Sequence, residues 1–110
     1  MANKYLRKFL TPLAATETTI YTVPDANNAV ISSLRVTNDN ASGCSLAVAV
    51  YPLGGATAYQ LLKAYSLPTG QTMDVFSGVP CILQAGDVLK VTASVADVDF
   101  YLSYLEMDRS

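Results

Sequence analysis

The sequence predicts an all-β chain: an antiparallel β-sandwich, jelly-roll-like, of about eight short strands with an extended N-terminal arm. Three observations predict it. Residues 29–37 and 44–51 alternate apolar and polar side chains with the period of a strand. Turn-forming residues recur roughly every 8 to 12 positions, the spacing of sandwiches and barrels. No long stretch carries a helical period, so a parallel α/β arrangement is not expected. At 110 residues the chain is sized for one domain. We divide it into an arm, 1–16, and a β-sandwich domain, 17–110.

The arm carries five apolar anchors, Tyr5, Leu6, Phe9, Leu10 and Leu13, and Pro12 ends any helix there. Their spacing suits a short amphipathic helix or an extended segment. So much apolar surface needs cover. The arm therefore packs on its own sandwich or reaches a neighbouring subunit, and these five residues are interface candidates.

Residues 17–23 are rich in β-branched and aromatic side chains and read as a strand, which Pro24 ends. A turn follows at 25–28. In 29–37, Val30, Leu34 and Val36 take the inward face and Ser33, Arg35 and Thr37 the outward one. In 44–51, Cys44, Leu46, Val48 and Val50 point inward. The link 38–43 is made of turn-tolerant residues, so the two runs read as a hairpin. After a loop at 52–56, residues 57–66 suit two periods. Tyr59, Leu62 and Tyr65 share a helical face; Tyr59, Leu61, Lys63 and Tyr65 share a strand face. The all-β surroundings decide for a strand. Residues 71–76 form a short strand with Met73 and Val75 on one side, broken at 77–80. Residues 81–93 read as a second hairpin around Gly86 and Asp87. The last strand, 98–106, sets Val98, Phe100, Leu102 and Tyr104 against Asp99, Tyr101, Ser103 and Leu105; a polar end, 107–110, follows.

Histidine is absent, which removes the Ser-His-Asp and Cys-His arrangements. Two distant cysteines without histidine do not make a zinc site. Asp39 with Asn38 and Asn40, and Asp97 with Asp99, hold oxygen ligands of the kind calcium takes, but such residues are also the usual turn formers. Gly54-Gly55 lacks the lysine of a phosphate loop. We expect no catalytic residues, no metal and no cofactor. The net charge of −2, with Lys4, Arg7 and Lys8 as the sole positive cluster, does not suit nucleic acid. No apolar run approaches a membrane span, and the N-terminus does not read as a secretion signal. The chain is expected to work in a reducing compartment, with Cys44 and Cys81 as buried free thiols.

Charged residues make up 15% of the chain, against about 25% in average domains. So little charge points to a surface covered by a partner. Seven tyrosines fit strands and interfaces alike. Tyr51 and Tyr101 are the outward candidates for an interface.

Three stretches carry a resemblance: Thr19-Ile20-Tyr21-Thr22-Val23-Pro24, then 29–38 ending in Val36-Thr37-Asn38, then Leu83-Gln84-Ala85-Gly86-Asp87-Val88-Leu89-Lys90-Val91. With the closing Tyr104-Leu105-Glu106, they resemble small virion proteins of tailed bacteriophages over roughly residues 17–106. The arm lies outside the match. The resemblance implies a non-enzymatic particle protein: a capsid cement or decoration protein at subunit junctions, or a neck, tail or fibre component. It implies a homo-oligomer, a trimer being expected, with the major capsid protein or other virion proteins as partners. It implies a location in the virion after synthesis in the bacterial host cytoplasm. A carbohydrate- or receptor-binding module, using Tyr51 or Tyr101 beside the aspartate loops, is the third reading.

Overall fold

The computed structural model describes residues 3–77 and 79–108. Met1 and Ala2 of the arm, Gly78 of the expected break, and Arg109 and Ser110 of the polar end lie outside them. The described strands are β1 (Asn3–Leu10), β2 (Thr18–Thr22), β3 (Asn27–Asn38), β4 (Cys44–Tyr51), β5 (Tyr59–Leu67), β6 (Thr72–Asp74), β7 (Cys81–Leu83), β8 (Val88–Ala93) and β9 (Val98–Asp108). A single turn of 3₁₀ helix, Pro52–Gly54, links β4 to β5.

All pairing is antiparallel, in two sheets. One runs β1-β9-β3-β6, with β7 also on β3; the other runs β2-β8-β4-β5. Chain order explains the arrangement. The pairs β1/β2, β9/β8, β3/β4 and β6/β5 each put one strand in each sheet at matching positions. That wrapping of strand pairs is the jelly roll. The strands β6 and β7 share one edge position, lying on Arg35–Thr37 and Ala29–Ile31 respectively.

This topology corrects both expected hairpins. Strands β3 and β4 do not pair but lie in different sheets, and so do β7 and β8. Alternation tells which side chains are buried, but not which strand supplies the hydrogen bonds. The ladder partners of β3 and β4 are β9 and β8.

The core is built from the inward residues of both sheets. Ile31, Leu34, Val36, Phe100 and Leu102 come from the first sheet; Leu46, Val48, Leu89 and Val91 come from the second. Burying such side chains contributes about 1.5 to 3 kcal/mol each before the cost of ordering the chain. One inward assignment fails. Val30 points outward, because a register shift between Ile31 and Ser33 resets the alternation. Upstream of the shift Ala29 and Ile31 are the buried residues; downstream they are Leu34 and Val36.

The arm also has a definite place. Over Asn3–Leu10 it is strand β1, in unbroken register with β9, from Asn3 opposite Met107 to Leu10 opposite Phe100. Of its two expected positions, it occupies its own sandwich.

The β3–β4 corner is fixed by Asn38, the buried polar residue of the core. Its Nδ2 donates to the carbonyls of Ser42 at 2.9 Å and Leu67 at 3.0 Å. Its Oδ1 accepts the Asn40 amide at 3.0 Å. A buried amide so fully paired is structural, since leaving it unpaired would carry the whole desolvation cost.

Candidate functional site

The outer face of the first sheet is the candidate site. Outward positions follow from the alternation of β9, on which Tyr101, Ser103 and Leu105 oppose the buried Phe100, Leu102 and Tyr104. Register carries this across the sheet. One row runs Tyr5, Leu105, Val30 and Ile82 over four strands. The next places Arg7 beside Ser103 and Ser33. A third runs Phe9, Tyr101, Arg35 and Asp74. The last places Asp99 beside Thr37 and Thr72.

These rows make an apolar and aromatic strip on the outer face of the sheet. Tyr5 is 84% exposed, Phe9 64%, Ile82 63% and Tyr101 38%. The Phe9 and Tyr101 rings meet edge to face, centroids 4.8 Å apart at 76°. The Arg7 guanidinium lies 5.4 Å from the Phe9 ring, within cation–π range. Two shallow grooves flank the Phe9–Tyr101 ridge. One, of about 680 Å³, includes Tyr5, Arg7, Ser32 and Ser103 in its wall; the other, of about 540 Å³, includes Thr11, Arg35, Thr37, Thr72 and Asp99. The Thr11 hydroxyl donates to Asp99 at 2.7 Å.

The structure brings together Tyr5, Phe9 and Tyr101, with Leu6 in the wall of the first groove. The other anchors lie elsewhere. Leu10 packs half-buried against the core. Leu13 is exposed in the β1–β2 connection. Tyr51 is on the outer face of the second sheet, where its hydroxyl donates to Glu17 at 2.8 Å and Lys90 Nζ sits 4.4 Å from its ring. Bonding to Glu17 raises the Tyr51 phenol above its ordinary range, with burial adding to this. Arg7, Arg35, Val30 and Ile82 belong to the face and were not among the interface candidates of the sequence, which places Val30 inward. Their signal was the pairing of outward positions across strands.

The polar turn residues Asp87 and Asn40 are engaged in structural bonds. Asp87 accepts the Leu53 amide at 3.2 Å and the Gln84 amide at 2.9 Å, the work of a turn residue. Asn40 Oδ1 accepts from Ser42, and its Nδ2 donates to Ala96. Among the described residues no three metal-ligating side chains come together. Cys44 and Cys81 are free; burial raises both thiols, and Asp87 pushes Cys81 further.

At the edge where β1 and β2 approach, the Tyr21 hydroxyl donates to Glu106 at 2.6 Å. The Tyr21 and Tyr104 rings are 4.3 Å apart, and Lys8 Nζ lies 5.4 Å from the Tyr21 ring. Burial pushes the Tyr21 phenol far above its usual range, helped by the Glu106 acceptor.

No family model and no curated protein matches the sequence. Solved structures share its fold. A protein of the disulfide-linked pili that form Bacillus endospore appendages superposes with a TM-score of 0.60 at 16% identity, over 99% of this chain and 88% of that one. A chain of the T13 IBDV viral particle gives 0.58 at 11% identity, over 94% of this chain and 30% of that one. A chain of the infectious bursal disease virus Gx strain gives 0.56 at 11%, over 96% and 33%. This chain thus spans about a third of the viral chains it resembles. At such identities the likeness is one of fold.

Proposed function

We propose that the chain is a non-enzymatic structural protein of a virus particle: a bacteriophage capsid cement or decoration protein that binds at capsid subunit junctions. The observation that carries this is the outer face of the β1-β9-β3 sheet. Aromatic and arginine side chains stand exposed there on rigid strands, the composition that dominates protein interfaces. Two things support the reading: the jelly-roll fold, which chains of icosahedral virus particles share, and the motif resemblance to phage virion proteins. A shell protein repeats its contacts over a lattice, so modest patches add through multivalency. In this reading the protein is a homo-oligomer, a trimer, made in the host cytoplasm and assembled onto the shell.

One observation favours a second reading, a neck, tail or fibre component. The fold match to the endospore pilus protein covers nearly the whole of both chains, so a single jelly roll of this size serves as a fibre subunit elsewhere. Electron cryo-microscopy of a native particle separates the two. Jelly-roll density at shell subunit junctions is the expected result. Density confined to the portal axis or tail selects the second reading. A monomer that sediments with no particle overturns both.

A further inference from the structure

The two sheets have four edge positions, and they are not equivalent. Strand β2 has five residues, a register shift between Thr19 and Tyr21, and Pro24 close behind it. Strand β5 is broken by two register shifts, and Ala64 has a φ of 52°. The β6/β7 position consists of two three-residue pieces. Each is a device that spoils an edge as a template for a further strand. Strand β1 has none of them. It runs eight residues in unbroken register with β9, and among the described residues its ladder partner is β9 alone.

What β1 carries instead is charge. Lys4, Arg7 and Lys8 stand on it with no carboxylate. All three are exposed. The 680 Å³ groove alongside has Tyr5, Arg7, Phe9 and Tyr101 in its wall, and no Asp or Glu. Against a copy of itself this edge would set cations opposite cations, which disfavours self-pairing. Against an acidic strand the same positions attract.

We propose that β1 is a strand-addition edge for an extended acidic segment of a partner protein. The segment's backbone would bond to the free side of β1, its carboxylates would meet Lys4 and Lys8 on one face, and its apolar side chains would lie on the other face beside Tyr5, Arg7 and Phe9. This is strand augmentation made selective by charge. The proposal refines the particle reading by naming the partner's chemistry.

The test uses the full chain and a labelled octapeptide alternating valine and glutamate. Controls are the valine–lysine octapeptide and a valine–glutamate version N-methylated at alternate residues, which cannot bond an edge. Fluorescence anisotropy is expected to show binding of the acidic peptide about tenfold or more tighter than either control. Raising salt from about 50 mM to about 500 mM weakens it. Amide exchange then shows new protection confined to residues 3–10. The variant K4E/R7E/K8E, whose fold is checked by circular dichroism, prefers the lysine peptide. Equal binding of all peptides, protection at β5 instead, or a β1-mediated self-dimer in sedimentation each overturns the proposal. If the triple variant decorates particles as well as the natural chain, the edge proposal falls and the particle reading stands. If neither binds particles, that reading falls, and the peptide result still judges the edge.

Discussion

The Tyr21 hydroxyl on β2 and the Glu106 carboxylate on β9 are 2.6 Å apart, and they join the two sheets at the edge where β1 and β2 meet. Apart from this bond and the one from Asn38 to the Leu67 carbonyl, the sheets hold together mainly by apolar burial, which is not directional. This bond is directional and charge-assisted, so it is among the stronger kinds. It also closes the end of the core above Tyr104, against which the Tyr21 ring packs.

Tyr21→Phe keeps the ring and removes the donor. It should destabilise the chain by about 1 to 2 kcal/mol, because the half-buried Glu106 loses a charge-assisted partner. The pH dependence follows from the raised phenol. The folded state holds the Tyr21 proton more tightly than the unfolded state does. Its contribution is therefore complete below the unfolded value of about 10 and is lost as pH rises beyond it. Tyr104 is raised in the same direction, by burial first and then by Glu106. Urea midpoints measured near pH 8 and near pH 11 should fall steeply in the natural chain and less steeply in the variant. Equal slopes would show that Tyr21 titrates normally.

Asn38 ties three segments at one corner, through Ser42, Leu67 and Asn40. Its backbone adds bonds to Gln71 and Gly70, at 3.0 and 2.8 Å. Asn38→Ala strands two carbonyls and one amide at a buried site, a loss of about 2 to 3 kcal/mol. Thermal unfolding should show a clear fall in Tm; a change near zero would mean that water replaces the amide.

Removal of residues 2–13 distinguishes a free arm from a strand. A free arm would be expendable to the domain. As β1, the segment completes the ladder of β9 and sets Leu10 against the core. Its deletion should lower Tm strongly and open β9 to aggregation as a new edge. A truncated chain that melts like the full one would restore the detachable-arm reading.

Much of the core was legible because unbroken alternation marks it. Cys44, Leu46, Val48 and Val50, then Leu89, Val91 and Ala93, then Val98, Phe100, Leu102 and Tyr104 are all buried as their spacing implies. Val30 was misread because a bulge changes parity without leaving a mark in composition. The hairpins were misread because strands close in sequence are common ladder partners, whereas a jelly roll sends most successive strands to opposite sheets. The face was half legible. Tyr5, Phe9 and Tyr101 stood out as apolar residues needing cover, but Leu6 and Leu10 belong to the opposite side of β1. Arg7 and Arg35 gave no warning, since an arginine at a polar position looks the same whether it meets solvent or a partner.

The triple change Tyr5→Ser, Phe9→Ser and Tyr101→Ser separates that face from the fold. All three side chains lie outside the core, Tyr5 and Phe9 mostly exposed and Tyr101 38% exposed, so no core packing is lost. The edge-to-face pair of Phe9 and Tyr101 contributes about 0.5 to 1.5 kcal/mol. Stability should therefore fall by no more than about 2 kcal/mol. Binding to particles should fall far more, since aromatic anchors dominate interfaces and each lost anchor is repeated over the lattice. Co-sedimentation with capsids, read beside the melting curve, measures both effects. The matching change on the other sheet, Tyr51→Phe, breaks the bond to Glu17 and should leave capsid binding intact. If Tyr51→Phe abolishes co-sedimentation while the serine triple retains it, the interface lies on the second sheet.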